Sequence, residues 1–113
     1  MSRDNVYLLD ILQAARLAVQ YLHQATLEAF LDDVRLQDSV IRRLEIVGEA
    51  ARRVSEPARL THSHLPWREM IALRNIVIHE CDNVDLTIVW DAVKKDLPPL
   101  IETLEQIVPP ETS

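Results

Sequence analysis

The chain has 113 residues, of which 48% are apolar and 27% charged, and it carries a net charge of −6 at neutral pH. That length accommodates one domain with a modest core, and the apolar content excludes general disorder. The negative balance excludes a broad basic face, so any contact with nucleic-acid phosphates has to be local.

A single glycine and a scarcity of aromatic residues argue against a β architecture, which needs glycine-rich turns. The chain therefore reads as all-α. One cysteine permits no internal disulfide. The opening Met1-Ser2-Arg3-Asp4-Asn5 has no leader-like pattern, and no apolar run reaches bilayer length. The expected location is the cytoplasm, away from the membrane.

The first helix is predicted from Asp4 to His23, where Leu8, Ile11, Leu12, Ala15, Val19 and Leu22 form one apolar stripe. Thr26 is placed to cap a short turn over Leu27 to Leu31, which pauses at Asp32-Asp33. A second long helix is predicted from Gln37 to Ser55, with Val40, Ile41, Leu44, Val47 and Ala51 inward and Pro57 as its stop. Glu56 to Leu65 reads as a connecting loop.

Pro66 suits the first turn of a third helix that presents Trp67, Met70, Ile71, Leu73 and Val77 to the core and ends near Glu80. Asp82-Asn83-Val84-Asp85 reads as a turn, with Asp85 capping the last helix. That helix carries Leu86, Val89, Trp90, Val93, Leu97, Leu100, Ile101 and Leu104 inward. Pro98-Pro99 lies within it, which predicts a kink or break near Asp96.

Residues 1–108 are thus expected to form a single antiparallel four-helix bundle with one short extra helix. Pro109-Pro110 begins a flexible tail over residues 109–113. Ile76 and Ile78 fall off the stripe of the third helix. They imply a second buried surface, and so a homodimer with its interface near that helix.

Chemistry concentrates in Arg74-Asn75-Ile76-Val77-Ile78-His79-Glu80-Cys81. Arginine holds phosphate through a planar bidentate fork, and histidine exchanges protons near neutral pH. Together they suffice for metal-free cleavage of RNA, whose 2′-hydroxyl is its own nucleophile. Asn75 and His79 share a helical face, with Arg74 about 100° away around the helix. The same spacing is also served by an exposed ion pair at Arg74 and by His79 favoured at the helix C-terminus.

On the second helix Asp38, Arg42, Glu45 and Glu49 fall on one face. They form either a solvated stripe of ion pairs or the wall of a groove facing Arg74 and His79. Gly48, beside that stripe, is where another backbone could approach closely. Local basic surface is available because Arg35, Arg42, Arg43, Arg52, Arg53, Arg68 and Arg74 all lie mid-chain. His62-Ser63-His64 lacks a third ligand and reads as exposed loop rather than as zinc site, so no metal and no cofactor is expected. Cys81 reads as a structural thiol.

The chain resembles the HepT-like branch of the HEPN superfamily, small all-α proteins encoded beside a minimal nucleotidyltransferase. The resemblance covers nearly the whole chain. It rests on Asp10-Ile11-Leu12, on the segment from Gln37 to Ala50 that contains Leu44-Glu45-Ile46-Val47-Gly48-Glu49-Ala50, on Pro66-Trp67, on Arg74-Asn75 through His79, and on Val84-Asp85 with Ile88-Val89-Trp90.

The resemblance implies a homodimeric, metal-independent endoribonuclease toxin with Arg74, Asn75 and His79 of both subunits in a composite cleft. It also implies a nucleotidyltransferase antitoxin that silences the toxin by adenylylating a tyrosine two residues after the histidine. Here that position is Cys81, a departure from the family pattern. Two other readings stand beside this one. One is a non-catalytic helical partner that binds and regulates a nucleotidyltransferase; the other is a purely structural dimer with Arg74 and His79 at its interface.

Overall fold

A computed structural model describes residues 3–79 and 85–108, with residues 76–79 described as helical backbone only. All regular structure among these residues is helical. The expected tail over residues 109–113 lies outside them.

Helix α1 spans Arg3–Leu22 and buries Leu8, Ile11, Leu12, Ala15 and Leu22 as its spacing predicts, together with Ala14 and Ala18. Helix α2 spans Leu27–Asp32, and the Thr26 side chain accepts from the Ala29 N–H at 3.1 Å. Its purpose in the packing is Phe30, which is fully buried against the Trp90 ring at 5.7 Å. Burying a side chain of that size contributes about 1.5–3 kcal/mol.

Helix α3 spans Val34–Arg53, three residues earlier at its start than the apolar spacing indicates. Asp33 accounts for the difference. Its N–H closes α2 on the Phe30 carbonyl, and its carboxylate accepts from the Leu36 N–H at 3.1 Å as the N-cap of α3. The Gln37 side chain adds bonds to the Phe30 and Leu31 carbonyls at 2.9 and 3.1 Å.

The expected loop after Glu56 is a short helix instead, α4, spanning Glu56–Thr61. Pro57 does not stop α3; it sits in the first turn of α4, where its missing N–H costs nothing. Ser55 caps the new helix, and Arg59 reaches back to the Val54 and Arg52 carbonyls at 3.1 and 2.7 Å. These bonds satisfy acceptors that the end of α3 would otherwise leave open. The Asp4 carboxylate accepts from the Ser55 N–H and Oγ at 2.8 and 2.6 Å. The start of α1 is thereby tied to the end of α3, so the two helices run in opposite directions.

Helix α5 spans Trp67–His79. Met70 is buried, Ile71 and Leu73 pack on the core from its edge, and Trp67 Nε1 donates to the His62 carbonyl at 3.0 Å. Helix α6 spans Leu86–Asp91 under the predicted cap, with Asp85 accepting from the N–H groups of Thr87 and Ile88. A π-helical turn over Ala92–Asp96 leads directly into α7, Leu97–Ile107.

The kink or break predicted near Asp96 is thus taken up by a wider turn. The Leu97 N–H bonds the Ala92 carbonyl five residues back, which resets the helix so that both prolines fall in a first turn. Helix α3 lies centrally, packed on α1 and on α5, while α7 closes against α1. No helix among the described residues is long and apolar enough to cross a membrane.

Candidate active site

The site begins where α3 meets α5. A Cβ on Gly48 would stand 2.7 Å from both the Cβ and the backbone nitrogen of Arg74. Only a glycine admits α5 this close, and the approach delivers Arg74 to the polar face of α3. Its Nε lies 2.7 Å from Glu49 Oε2. The other carboxylate oxygen, Oε1, accepts from Arg52 Nη2 at 2.9 Å and from Arg53 Nε at 3.2 Å.

Glu49 is therefore shared by three guanidinium groups. Hydrogen bonds from Arg52, then from Arg53, hold its carboxyl below the usual glutamate value, and the charge of Arg74 adds to this. Glu49 first, and Tyr7 of α1 second, hold the Arg53 guanidinium firmly protonated. The contacts Arg53–Glu49–Arg74 thus join α3 to α5, with Tyr7 of α1 lining the same groove.

These side chains rim an open groove of about 560 Å³. Tyr7 and Asp10 of α1 line one wall, Arg42, Glu45, Glu49 and Arg53 of α3 the floor, and Arg74 of α5 the other wall. Arg42 pairs with Glu45 at 3.1 Å. The α3 stripe is laced with ion pairs, and its Arg42, Glu45 and Glu49 line the groove beside Arg74. Asp38 is exposed and not part of this lining. It sits four residues, about 6 Å, before Arg42 along the helix axis.

Asn75 is exposed on α5, one residue after Arg74. His79 is the last residue of α5. Its side chain, like those of Ile76 and Ile78, lies outside the described residues, as does Cys81. His62 and His64 stand ring edge to ring face at 6.2 Å beyond α4. No group of three or more His, Cys, Asp or Glu residues among the described ones could hold a metal ion.

Five lining residues, Tyr7, Asp10, Ile46, Ala50 and Arg53, are not among those that the α3 spacing singles out. Tyr7 and Asp10 lie three apart on one side of α1, which is a usable local signal. Nothing local, however, says that α1 lies beside Arg53.

The comparisons with known proteins converge. The family model described as "Ribonuclease HepT-like" matches residues 11–107. A "Probable ribonuclease HepT" of Thermococcus cleftensis is 38% identical over 89% of this chain and 92% of its own length. A Methanocaldococcus jannaschii protein named "Gamma-glutamylcyclotransferase and putative RNase" is 39% identical over 96% of this chain. The chain spans 49% of that longer relative. A second protein of the same organism, named as a "Putative RNase", is 35% identical over 93% of this chain and 98% of its own. No solved structure matches.

Proposed function

As this chain belongs to the HepT-like ribonuclease family, we propose that it is a metal-independent endoribonuclease, the toxin of a pair with a small nucleotidyltransferase. The helices close as an antiparallel four-helix bundle that pairs as a homodimer near α5. Arg74, Asn75 and His79 of both protomers then share one cleft. The observation that carries this reading is the placement of Arg74. It stands at the wall of an open groove, with Glu49 on its Nε side.

In this mechanism Arg74 neutralises the scissile phosphate and stabilises the added negative charge of the pentavalent transition state. The RNA 2′-oxygen attacks phosphorus and loses its proton to one His79. The bond from phosphorus to the 5′-oxygen breaks, and the leaving oxygen takes a proton from the His79 of the other protomer. Asn75, one helical turn from His79, orients the imidazole or the phosphate. The products are a 2′,3′-cyclic phosphate and a 5′-hydroxyl.

The test is cleavage of RNA by the purified protein in EDTA. His79→Ala abolishes cleavage, Arg74→Lys costs nearly as much because lysine lacks the fork, and 2′-deoxy substitution at the cut blocks it. Loss of activity in chelator, or cleavage of the deoxy substrate, contradicts the mechanism. The net charge of −6 favours one rival, a non-catalytic partner that docks a nucleotidyltransferase. A wild-type protein that binds such an enzyme yet cuts no RNA would establish that rival.

A further inference from the structure

The ribonuclease reading uses Arg74 but assigns nothing to the carboxylate beside it. Glu49 has two oxygens with distinct partners. Oε1 is held by Arg52 and Arg53, three and four residues on in its own helix, which fixes the carboxylate on the α3 surface. Oε2 is thereby left facing Nε of Arg74 on the neighbouring helix. A guanidinium has two edges that can take an oxyanion in bidentate fashion, one of which includes Nε. Glu49 occupies the Nε side, and among the described residues the terminal nitrogens of Arg74 have no ion partner.

We infer that Glu49 is a positioning residue that clamps Arg74 by its Nε side, so that the terminal-nitrogen edge is presented to the RNA phosphate. The inference rests on Arg74 being the phosphate-binding group. Two physical consequences follow. Without the carboxylate, three like-charged guanidiniums share one end of the groove and spread apart, so Arg74 loses its fixed pose. The same loss removes a negative charge from the phosphate path, so RNA binding strengthens while turnover falls. A residue that merely stabilised the fold would lower both together.

The experiment compares full-length wild type, Glu49→Gln and Arg74→Ala. Affinity is measured with a 2′-O-methyl oligoribonucleotide, which cannot be cut, and the single-turnover rate with RNA. Glu49→Gln is expected to bind the 2′-O-methyl strand several-fold more tightly. It should cleave slower by roughly 10²-fold, the penalty for misplacing a positioned group. Arg74→Ala is expected to lose both.

Wild-type rates in Glu49→Gln, or parallel losses of binding and cleavage, overturn the inference. A readout independent of activity is the ¹⁵N–¹H signal of Arg74 Nε in the wild-type protein. Its relaxation should report a side chain that is restricted in the free protein and stays so when the 2′-O-methyl strand binds; a freely moving Nε in the free protein overturns the clamp. If the wild-type protein cleaves no RNA, the ribonuclease reading fails, whereas this signal still decides the role of Glu49.

Discussion

Gly48 and Arg74 touch backbone to backbone: a methyl group on the glycine would stand 2.7 Å from the arginine nitrogen and 3.1 Å from its Cα. Neither atom belongs to a flexible side-chain end, so α5 itself would have to move. The only glycine of the chain therefore serves the site as much as the fold.

Gly48→Ala opposes two effects. Alanine gains about 1 kcal/mol of helix propensity. Overpacking against a backbone costs about 1–3 kcal/mol, and here the neighbour has no side-chain route of escape. The expected outcome is a net destabilisation of about 1 kcal/mol, seen as a Tm lower by roughly 4–8 °C. Cleavage should fall further than stability, because the displaced helix carries Arg74. A variant with wild-type Tm and wild-type rate would show that α3 and α5 separate freely.

The Asp4–Ser55 bond makes a pH prediction. Hydrogen bonds from the Ser55 side chain, then from its backbone N–H, hold the Asp4 carboxyl below its ordinary value of 3.8. A carboxyl whose folded value is depressed contributes stability above its unfolded value and loses that contribution as pH falls through the folded one. Asp4→Asn is therefore expected to lower Tm at neutral pH. The deficit should shrink as pH drops below the ordinary aspartate range. Thermal unfolding of both proteins from neutral to strongly acid pH checks this, and a deficit that does not change with pH contradicts it.

Arg43 offers a test of the packing. Its Nε is buried and has no hydrogen-bond partner among the described residues. A buried donor left unsatisfied costs about 1–3 kcal/mol. Arg43→Met keeps much of the aliphatic stem and removes the donor, so urea unfolding should give an unchanged or higher midpoint. A clearly lower midpoint would show that Nε finds a partner in the assembled protein.

The helices were legible because their apolar residues recur at helical steps, and because Thr26 and Asp85 announce the starts of α2 and α6. Helix α4 was hidden by Pro57, which reads equally as the end of one helix or the first turn of the next. The reach of Arg59 back to the Arg52 and Val54 carbonyls settles that choice, and apolar spacing does not show it. The same holds for the site. The face bearing Arg42, Glu45 and Glu49 follows from spacing within one helix. That Arg74 turns to Glu49, and that Tyr7 shares a groove with Arg53, depends on how neighbouring helices pack. Gly48 alone hinted at the first; nothing hinted at the second.

Cys81 carries the last prediction, which rests on the proposed pairing with a nucleotidyltransferase. If the family's switch adds a nucleotide to a tyrosine two residues beyond His79, its effect is to place bulk and negative charge beside the phosphate-binding groups. RNA is then excluded by both volume and repulsion. A cysteine at that position has no phenolic oxygen to accept the nucleotide. The protein should therefore keep its mass and its activity when incubated with such an enzyme and ATP. Cys81→Tyr should gain one or more adenylyl units and lose cleavage, since Arg74, Asn75 and His79 are all in place along the chain. Intact mass before and after incubation decides the matter. A mass gain on the unaltered protein would move the switch to the thiol or to another residue, with Tyr7 in the groove and Tyr21 the two to examine by peptide mapping.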